Sequence, residues 1–182
     1  MTIDTNNLIV RCASKEDLNK LINLYKEVSS LSEEKIFYEI DGKHITEILE
    51  RSTEKGVMLL VEDDETKKIY GELHAYKPKG KAVNHILCEL SVIIHPDAHG
   101  KNLAALMLVY LLTLIKEQYP DVLRVEILVR ESNTKGIDFY KSFGFKEEGR
   151  FERRYLKPNG ELESDVALVW FNPNFKNKYE IT

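Results

Sequence analysis

Residues 89–145 constrain the fold of this chain more than any other segment, because they alternate strand, turn and helix patterns. An apolar strand pattern at 89–94 leads into a polar turn at 95–102, and an apolar helix pattern begins at Leu103. A second strand pattern, LRVEILV, follows at 123–129. Strands joined through a helix run parallel with a right-handed crossover, so the helix N-terminus lies at the carboxyl end of the first strand. Backbone N–H groups at such a turn can bind phosphate, which predicts a phosphate-bearing ligand.

Further strand and helix patterns flank this unit on both sides. Strand patterns lie at 8–13, 57–62, 68–76, 145–150 and 165–171, and residues 85–94 complete the strand before the turn. Helix patterns follow an N-cap at Ser14 with Asp17, cover 32–54 with Gly42 as an interruption, and recur at 133–142. The polar turn DDET between two of the strands predicts an antiparallel hairpin. The element order predicts a mixed α/β fold with a partly antiparallel sheet.

The helix that begins at Leu103 is apolar around most of its circumference. The apolar residues at helical spacing are Leu103, Leu106, Met107, Tyr110, Leu111 and Leu114. The other faces are also apolar, through Ala104, Ala105, Leu108 and Leu112. A helix that is hydrophobic all round is normally buried. The pattern therefore predicts a deeply buried helix.

Length and composition favour one globular domain. The chain has 182 residues, of which 43% are hydrophobic, enough for a single core. We expect residues 1–182 to form one domain with its core at about 7–172. The tail at 173–182 leaves two interpretations open, a frayed end or a segment that packs on a second subunit of a homodimer. The 30 acidic and 26 basic residues give a formal charge of −4, which argues against a nucleic-acid surface.

Cysteine usage and hydropathy indicate a cytoplasmic protein. Cys12 and Cys88 are far apart, and no Cys/His cluster has metal-ligand spacing, so neither a disulfide framework nor a metal site is expected. The N-terminal residues lack a basic region followed by an apolar stretch, and the apolar run at 103–115 is too short to span a bilayer. These features predict a soluble protein without a membrane segment.

Two motifs within 89–145 resemble the GNAT superfamily, the Gcn-related N-acetyltransferases. The residues His99-Gly100-Lys101-Asn102-Leu103-Ala104 are similar to the family's pyrophosphate loop, Gln/Arg-x-x-Gly-x-Gly/Ala, with His99 where Gln or Arg is usual and Asn102 where Gly is usual. Asn tolerates left-handed backbone, which would preserve the loop. The block from Asn133 through Tyr140 to Gly144-Phe145 resembles the family's Asn-x6-Tyr-x3-Gly-Phe signature. The resemblance implies a single-domain fold with a mostly antiparallel sheet of about seven strands, a central parallel βαβ unit and helices on both faces.

A third similarity concerns catalysis. The strand Glu89-Leu-Ser-Val-Ile-Ile-His-Pro96 resembles that of the phosphinothricin-type small-molecule N-acetyltransferases, in which the Glu is taken as the general base. Alternation along a strand would put Glu89, Ser91 and Ile93 on one face. The resemblance implies acetyl transfer from acetyl-CoA to a primary amine by direct attack, with no metal.

The resemblance also implies a role for each site residue. Glu89 would deprotonate the amine, a backbone amide around Val92, Ile93 and Ile94 would stabilise the oxyanion, and Tyr140 would protonate the departing thiolate. Asn133 would hydrogen-bond the pantetheine arm. The cofactor-binding residues are expected to be Val92, Ile93, Ile94, His99, Gly100, Lys101, Asn102, Leu103, Ala104, Asn133 and Tyr140. Lys135 or Lys141 is expected near the adenosine phosphate.

Several alternatives stay open. Glu89 could be an ordinary strand carboxylate, with Glu126 or water as the base, and Tyr140 could simply pack. Phe37, Tyr38 and Ile40 could line an acceptor pocket or only pack a helix, and the scattered histidines (His74, His85, His95 and His99) are expected to be structural or at the surface. The leading acceptor is a small-molecule amine. A protein N-terminus or lysine is the second possibility, and an acyl-CoA sensor without catalysis is the third.

Overall fold

The computed structural model describes residues 7–31, 42–157 and 159–177. Its strands are β1 (Leu8–Cys12), β2 (Gly56–Asp63), β3 (Ile69–Tyr76), β4 (Ile86–Ile94), β5 (Arg124–Arg130), β6 (Lys146–Leu156) and β7 (Leu162–Phe171). Its helices are α1 (Leu18–Leu31), α2 (Gly42–Lys55), α3 (Leu103–Gln118) and α4 (Thr134–Ser142). The strands form a seven-stranded sheet in the order β1-β2-β3-β4-β5-β7-β6. β4 and β5 are parallel, whereas β1–β2, β2–β3, β5–β7 and β6–β7 are antiparallel, which confirms the predicted fold class.

The chain divides into two compact units. Unit 1 comprises Met1–Tyr76 and Ser91–Leu114, and unit 2 comprises Lys77–Leu90 and Ile115–Thr182. The division falls inside β4, so the N-terminal half of this strand belongs to unit 2 and its C-terminal half to unit 1. A single domain remains a prediction.

Unit 1 places helices on both faces of its strands. On one face, Gly71 of β3 lies against Ile94 and Met107, so α3 covers that side. On the other face, Glu72 of β3 is fully buried and accepts a hydrogen bond of 3.1 Å from the Tyr25 hydroxyl of α1. The core on this side is formed by Leu21, Leu24, Tyr25, Ile45, Ile48, Leu49, Met58, Leu60 and Ile69.

The predicted cap before α1 is present. The Asp17 carboxylate accepts hydrogen bonds from the Ser14 N–H at 2.8 Å and the Ser14 hydroxyl at 3.3 Å. Burial acts to raise the pKa of Asp17, but the hydrogen bonds from Arg11 and Ser14 hold it below its ordinary value. A 3-10 turn at Lys15–Asp17 precedes α1, so the helix itself begins at Leu18. The second predicted helix, at 32–54, is observed only from Gly42 to Lys55, and 32–41 lie outside the described residues.

The prediction that α3 is deeply buried is wrong for one side of the helix. Leu106, Val109 and Tyr110 are 47%, 50% and 41% exposed. The buried side is formed instead by Leu103, Met107, Leu108, Leu111, Leu112 and Ile115. A helix that packs on one face of a sheet covers only part of its circumference, and apolar residues all round do not reveal which part. The periodicity was therefore insufficient to choose the buried face.

Unit 2 has one packed sheet face and one partly open face. Val125, Ile127 and Val129 of β5 are buried and pair with Trp170, Leu168 and Val166 of β7. α4 packs on β5 and β7, and Trp170 lies beside Gly144 at the end of this helix. The alternate residues of β5 lie on the open face, where Leu128 is 39% exposed. Within the described residues, no helix is long and apolar enough to cross a membrane.

Several element boundaries differ from the predicted ones. β6 extends to Leu156, beyond the predicted end at residue 150, and β7 begins at Leu162 rather than 165. Many residues of β6 are charged and nearly all are exposed, so its sequence does not alternate apolar and polar residues as a half-buried strand would. Its pairing is set by β7 across the sheet, which a local pattern does not contain.

Candidate active site

Glu89 occupies an irregular position in β4. Its φ angle is 55°, in the left-handed region, and its side chain is exposed. The parallel register of β4 with β5 covers only Ile86–Arg124 and Leu87–Val125, immediately before this residue. Left-handed backbone costs a residue other than glycine roughly 1–2 kcal/mol and re-aims the side chain. The regular alternation of faces expected for this strand is therefore interrupted at Glu89.

The part of β4 that belongs to unit 1 leads into the predicted phosphate loop. Val92, Ile93 and Ile94 are each half-buried. Ile93 packs against the core below α1 and α2, whereas Ile94 lies against Gly71 on the side of α3. The N–H of His95 donates to the carbonyl of Tyr70 at 2.9 Å, which ties the end of the strand to β3.

His95 anchors the start of the loop. Its ring is buried, and its Nδ1 accepts a hydrogen bond of 3.2 Å from the Asp97 N–H. That bond assigns the proton to Nε2, which donates to the Glu27 carboxylate at 2.8 Å. Lys68 pairs with the same carboxylate at 2.9 Å and is the main reason that the pKa of Glu27 is lowered. His95 is thus structural, as the sequence predicts for its isolated histidines.

The loop at 99–104 has the backbone shape of an anion site. Gly100 and Asn102 have φ angles of 76° and 57°, which confirms the left-handed conformation expected for Asn102. Among the described residues, the N–H groups of Gly100, Asn102, Leu103 and Ala104 have no hydrogen-bond acceptor. These groups surround the N-terminus of the 16-residue helix α3, whose dipole adds partial positive charge. The loop therefore fits a diphosphate group.

The side chains of this loop differ in exposure and in their contacts. Lys101 is exposed, Leu103 is buried and Ala104 is half-buried. His99 is also exposed, and its Nε2 donates to the Ile94 carbonyl at 3.3 Å. This side chain braces the loop against the end of β4.

Asn133 is the N-cap of α4. Its Oδ1 accepts a hydrogen bond of 2.9 Å from the Gly136 N–H, which leaves its amide nitrogen for another partner. The cap requires glycine at 136, because a Cβ there would lie 2.5 Å from Asn133 Nδ2 and 2.8 Å from Cγ. The helix predicted at 133–142 is observed at Thr134–Ser142.

A buried carboxylate supports the loop that contains Asn133. Glu163 of β7 is 5% exposed and accepts a hydrogen bond of 2.9 Å from the Ser132 N–H. Burial acts to raise the pKa of Glu163, but the Ser132 bond and Lys157 lower it below its ordinary value. Glu131 and Ser164 add two backbone contacts, from the Glu131 N–H to the Ser164 carbonyl and from the Ser164 N–H to the Glu131 carboxylate. Sequence reasoning missed both Gly136 and Glu163.

Tyr140 lies on α4 about two turns after Asn133, so both residues are on the same side of the helix. Its ring is buried against Phe139 and Phe145, with centroid distances of 5.2 and 5.4 Å. Burial raises the pKa of Tyr140 to about 12, so the hydroxyl keeps its proton near neutral pH. Within the described part of the chain, this hydroxyl has no hydrogen-bond partner.

The alternative polar residues are already engaged. Glu126 on the open face of β5 is 2.8 Å from Arg124 Nε, and Lys141 is 2.9 Å from Glu147. Lys135 is exposed at the start of α4. Phe37, Tyr38 and Ile40 lie outside the described residues. Among the described residues, no three or more His, Cys, Asp or Glu side chains form a group that could hold a metal ion.

The structure groups the predicted residues into two sets. Unit 1 contains the strand residues 92–94 and the loop 99–104, whose backbone fits an anion. Unit 2 contains Glu89, Asn133 and Tyr140, of which the last two share α4.

Comparison with known proteins identifies a family. A family model described as an acetyltransferase (GNAT) domain matches residues 54–147. A search of curated protein sequences gives no significant match.

Solved structures share the fold at low sequence identity. They include yncA from Salmonella typhimurium with its cofactor acetyl-CoA, at 16% identity and a TM-score of 0.76, covering 97% of this chain and 98% of that one. A candidate phosphinothricin N-acetyltransferase is 16% identical, with a TM-score of 0.74 over 90% of this chain and 98% of that one. The ribosomal-protein-S18-alanine N-acetyltransferase from Escherichia coli is 14% identical, with a TM-score of 0.73 over 96% of this chain and 99% of that one.

Proposed function

Because the chain belongs to the GNAT acetyltransferase family, we propose that it transfers an acetyl group from acetyl-CoA to the primary amine of a small molecule. The observation that supports acetyl-CoA binding best is the loop 99–104. Its left-handed residues Gly100 and Asn102 and its N–H groups without acceptors fit a pyrophosphate at the N-terminus of α3. Lys101 adds positive charge, and Lys135 or Lys141 is the candidate for the adenosine phosphate.

The amine must lose a proton before it attacks the thioester. Glu89 is the proposed base, acting directly or through water. It is exposed, whereas the competing Glu126 is paired with Arg124. Its left-handed φ supports the assignment, because strained backbone at a residue other than glycine is concentrated at functional sites.

The remaining steps use backbone and α4. A backbone N–H among Val92, Ile93 and Ile94 stabilises the oxyanion of the tetrahedral intermediate. Collapse of the intermediate breaks the carbon–sulfur bond, and Tyr140 donates its proton to the leaving thiolate. A hydroxyl whose pKa is about 12 is still protonated when the thiolate leaves. Asn133 binds the pantetheine arm through the amide nitrogen that its capping role leaves available.

The acceptor class rests on the strand 89–96, which resembles the phosphinothricin-type enzymes. The neighbours include a protein whose name states a ribosomal-protein alanine as its acceptor, so a protein N-terminus or lysine is the alternative. A cytoplasmic location and a homodimer are proposals from the sequence.

A thiol-release assay tests the proposed function. Purified protein and acetyl-CoA would be incubated with amino acids, polyamines, aminoglycosides and short peptides, and free CoA thiol would be measured against a control without acceptor. We expect release with one class of small amines. Release only with peptides would establish the protein-acceptor alternative. Acetyl-CoA binding without release for any amine would instead support the sensor, which the departures at His99 and Asn102 motivate.

A further inference from the structure

The open sheet face of unit 2 contains two arginines that share one carboxylate. Asp165 of β7 is 2% exposed. Its Oδ1 accepts a hydrogen bond from Arg130 Nη1, and its Oδ2 is 3.4 Å from Arg154 Nε. The arginine side chains are 36% and 49% exposed. One carboxylate between two guanidinium groups leaves one positive charge without compensation.

In two other arginine clusters of this unit, a single arginine contacts two carboxylates. Arg124 contacts both Glu126 and Glu148, at 2.8 and 2.5 Å. Arg150 contacts both Glu131 and Glu152, at 2.5 and 3.0 Å. In the described part of the chain, Asp165 is the sole carboxylate in contact with Arg130 or Arg154. Several N–H donors of this pair therefore lack an acceptor.

An irregularity in β6 brings Arg154 to this position. Phe151 pairs with Asp165, but Tyr155 pairs with Glu163, so β6 has two more residues than β7 between these pairs. A regular ladder would put Arg154 opposite Leu162. The bulge, in which Arg153 has a φ of 52°, moves Arg154 back beside Asp165. Such bulges re-aim side chains and occur often next to functional sites.

Aromatic rings hold the two guanidinium groups. Arg130 lies over the Tyr155 ring at 3.6 Å from its centroid, and Arg154 lies over the Phe151 ring at 5.0 Å. Stacking and the shared carboxylate limit side-chain motion, so less entropy is lost when a ligand binds. Paired guanidinium groups match the oxygen spacing of a carboxylate or a phosphate. The cluster has the chemistry of a preorganised anion site.

We infer that Arg130 and Arg154 bind an anionic group, a carboxylate or a phosphate, on the acceptor amine. The Arg130 carbonyl accepts a hydrogen bond of 2.9 Å from the Asn133 N–H, so Arg130 directly precedes the segment assigned to pantetheine. This inference rests on the proposed function and narrows its acceptor class. Acceptors with an acidic group, such as free amino acids or phosphorylated amines, are preferred over their neutral counterparts.

Matched acceptors and variants test the assignment. Thiol release would be compared for amino acids and their amides, and for O-phosphoethanolamine and ethanolamine. The first pair tests recognition of a carboxylate, and the second pair tests recognition of a phosphate. Arg154→Gln should lower kcat/KM for the acidic member of a pair about 10- to 100-fold, the usual effect of losing one charged hydrogen bond, and leave the neutral member within about twofold. Arg154→Lys should be intermediate, because it keeps the charge but not the planar fork.

The control is Lys146→Gln, which removes the same charge from an exposed residue of the same strand. Its kinetics should match the native protein, and thermal unfolding should establish that every variant folds. Equal losses for acidic and neutral acceptors in Arg154→Gln would make the cluster purely structural and overturn the inference. The inference would also be overturned if Lys146→Gln lowered kcat/KM for acidic acceptors as much as Arg154→Gln does, because that result would indicate unspecific attraction of anions.

A binding measurement separates this inference from the proposed function. The same acceptor pairs would be titrated calorimetrically into native protein and Arg154→Gln, each saturated with CoA. Tighter binding of the acidic member to the native protein only would support the arginine site even if no amine released thiol. Equal binding of both members to both proteins would refute it.

Discussion

Glu89 has a backbone conformation that a glutamate rarely adopts, with a φ of 55° inside a strand. Its side chain is exposed, so packing does not explain why glutamate rather than glycine occupies the position. Strain of this kind is found more often at functional sites than elsewhere. The sequence identified Glu89 through its motif, but the left-handed angle appears only in the structure.

Glu89→Gly should therefore separate stability from activity. Glycine adopts this angle without steric cost, so we expect unfolding free energy at least equal to that of the native protein, with a gain of up to about 1 kcal/mol. Thiol release should fall about 100-fold or more, because the base is lost. Denaturant unfolding and the thiol assay measure the two effects. Glu126→Gln is the control and should retain activity; a larger loss in that variant would reassign the base.

Tyr140→Phe should lower kcat without weakening cosubstrate binding. The ring packing is preserved and only the hydroxyl proton is removed, so we expect kcat to fall about 100-fold or more. The affinity for acetyl-CoA should change less than about threefold. Because the pKa of Tyr140 is about 12, its titration should not affect the native pH–rate profile below about pH 11. Tyr110→Phe, on the exposed side of α3, provides the control; an equal loss there would remove Tyr140 from the mechanism.

At the scale of the element, the N-terminus of α4 depends on residues from other strands and on one glycine. Asn133 caps the helix, Gly136 leaves room for that cap, and Glu163 holds the preceding residue. The sequence predicted the helix and singled out Asn133, but not its two supports. Glu163 is 30 positions from Asn133 in the chain, and the close approach of Asn133 to Gly136 arises only when the helix N-terminus has formed.

Gly136→Ala tests the cap. The added methyl group would overlap the Asn133 side chain, so the cap must move, at a cost of about 1 kcal/mol. Acetyl-CoA affinity should fall with it, because Asn133 is displaced from its pantetheine contact. Calorimetric titration and denaturant unfolding measure both effects. Gly149→Ala is the matched control, since a Cβ there meets nothing within 4 Å, and an equal effect in it would contradict the explanation.

Glu163→Gln tests the support from β7 through its pH dependence. The folded protein lowers the pKa of this carboxyl, so its stabilisation is complete above the unfolded pKa of about 4.3 and disappears as the pH falls through the lower folded value. We expect the variant to be less stable by about 1–3 kcal/mol at pH 7 and nearly equal to the native protein in strong acid.

Urea unfolding over a pH series would measure this difference. Glu161→Gln, a solvent-exposed change two residues earlier, should have little effect at any pH. If the loss of unfolding free energy in Glu163→Gln stays constant down to strong acid, ionisation of this carboxyl contributes nothing to stability.

At the scale of the whole molecule, ligand binding should raise the unfolding temperature. A ligand at about 100 times its Kd stabilises the native state by about 2.7 kcal/mol, which is roughly 5–11 °C for a chain of this size. CoA should produce this shift, whereas pantetheine at the same concentration should produce much less, because it lacks the pyrophosphate that the loop 99–104 binds. Thermal unfolding with each ligand measures the difference. Equal shifts would exclude the loop as the main anchor.

The sequence by itself determined the fold class, the parallel strand pair, the loop at 99–104 and the helix with Asn133 and Tyr140. These features are local patterns of hydrophobicity, turn residues and motif spacing, so they can be read along the chain. Only the tertiary structure decided which side of α3 is buried, that Glu89 is left-handed, and that Asp165 joins Arg130 to Arg154. The buried side of α3 and the arginine cluster depend on residues distant in the chain that pack or pair across the sheet, and such contacts leave no signature in local sequence. The φ angle of Glu89 is a backbone conformation that its residue type does not favour.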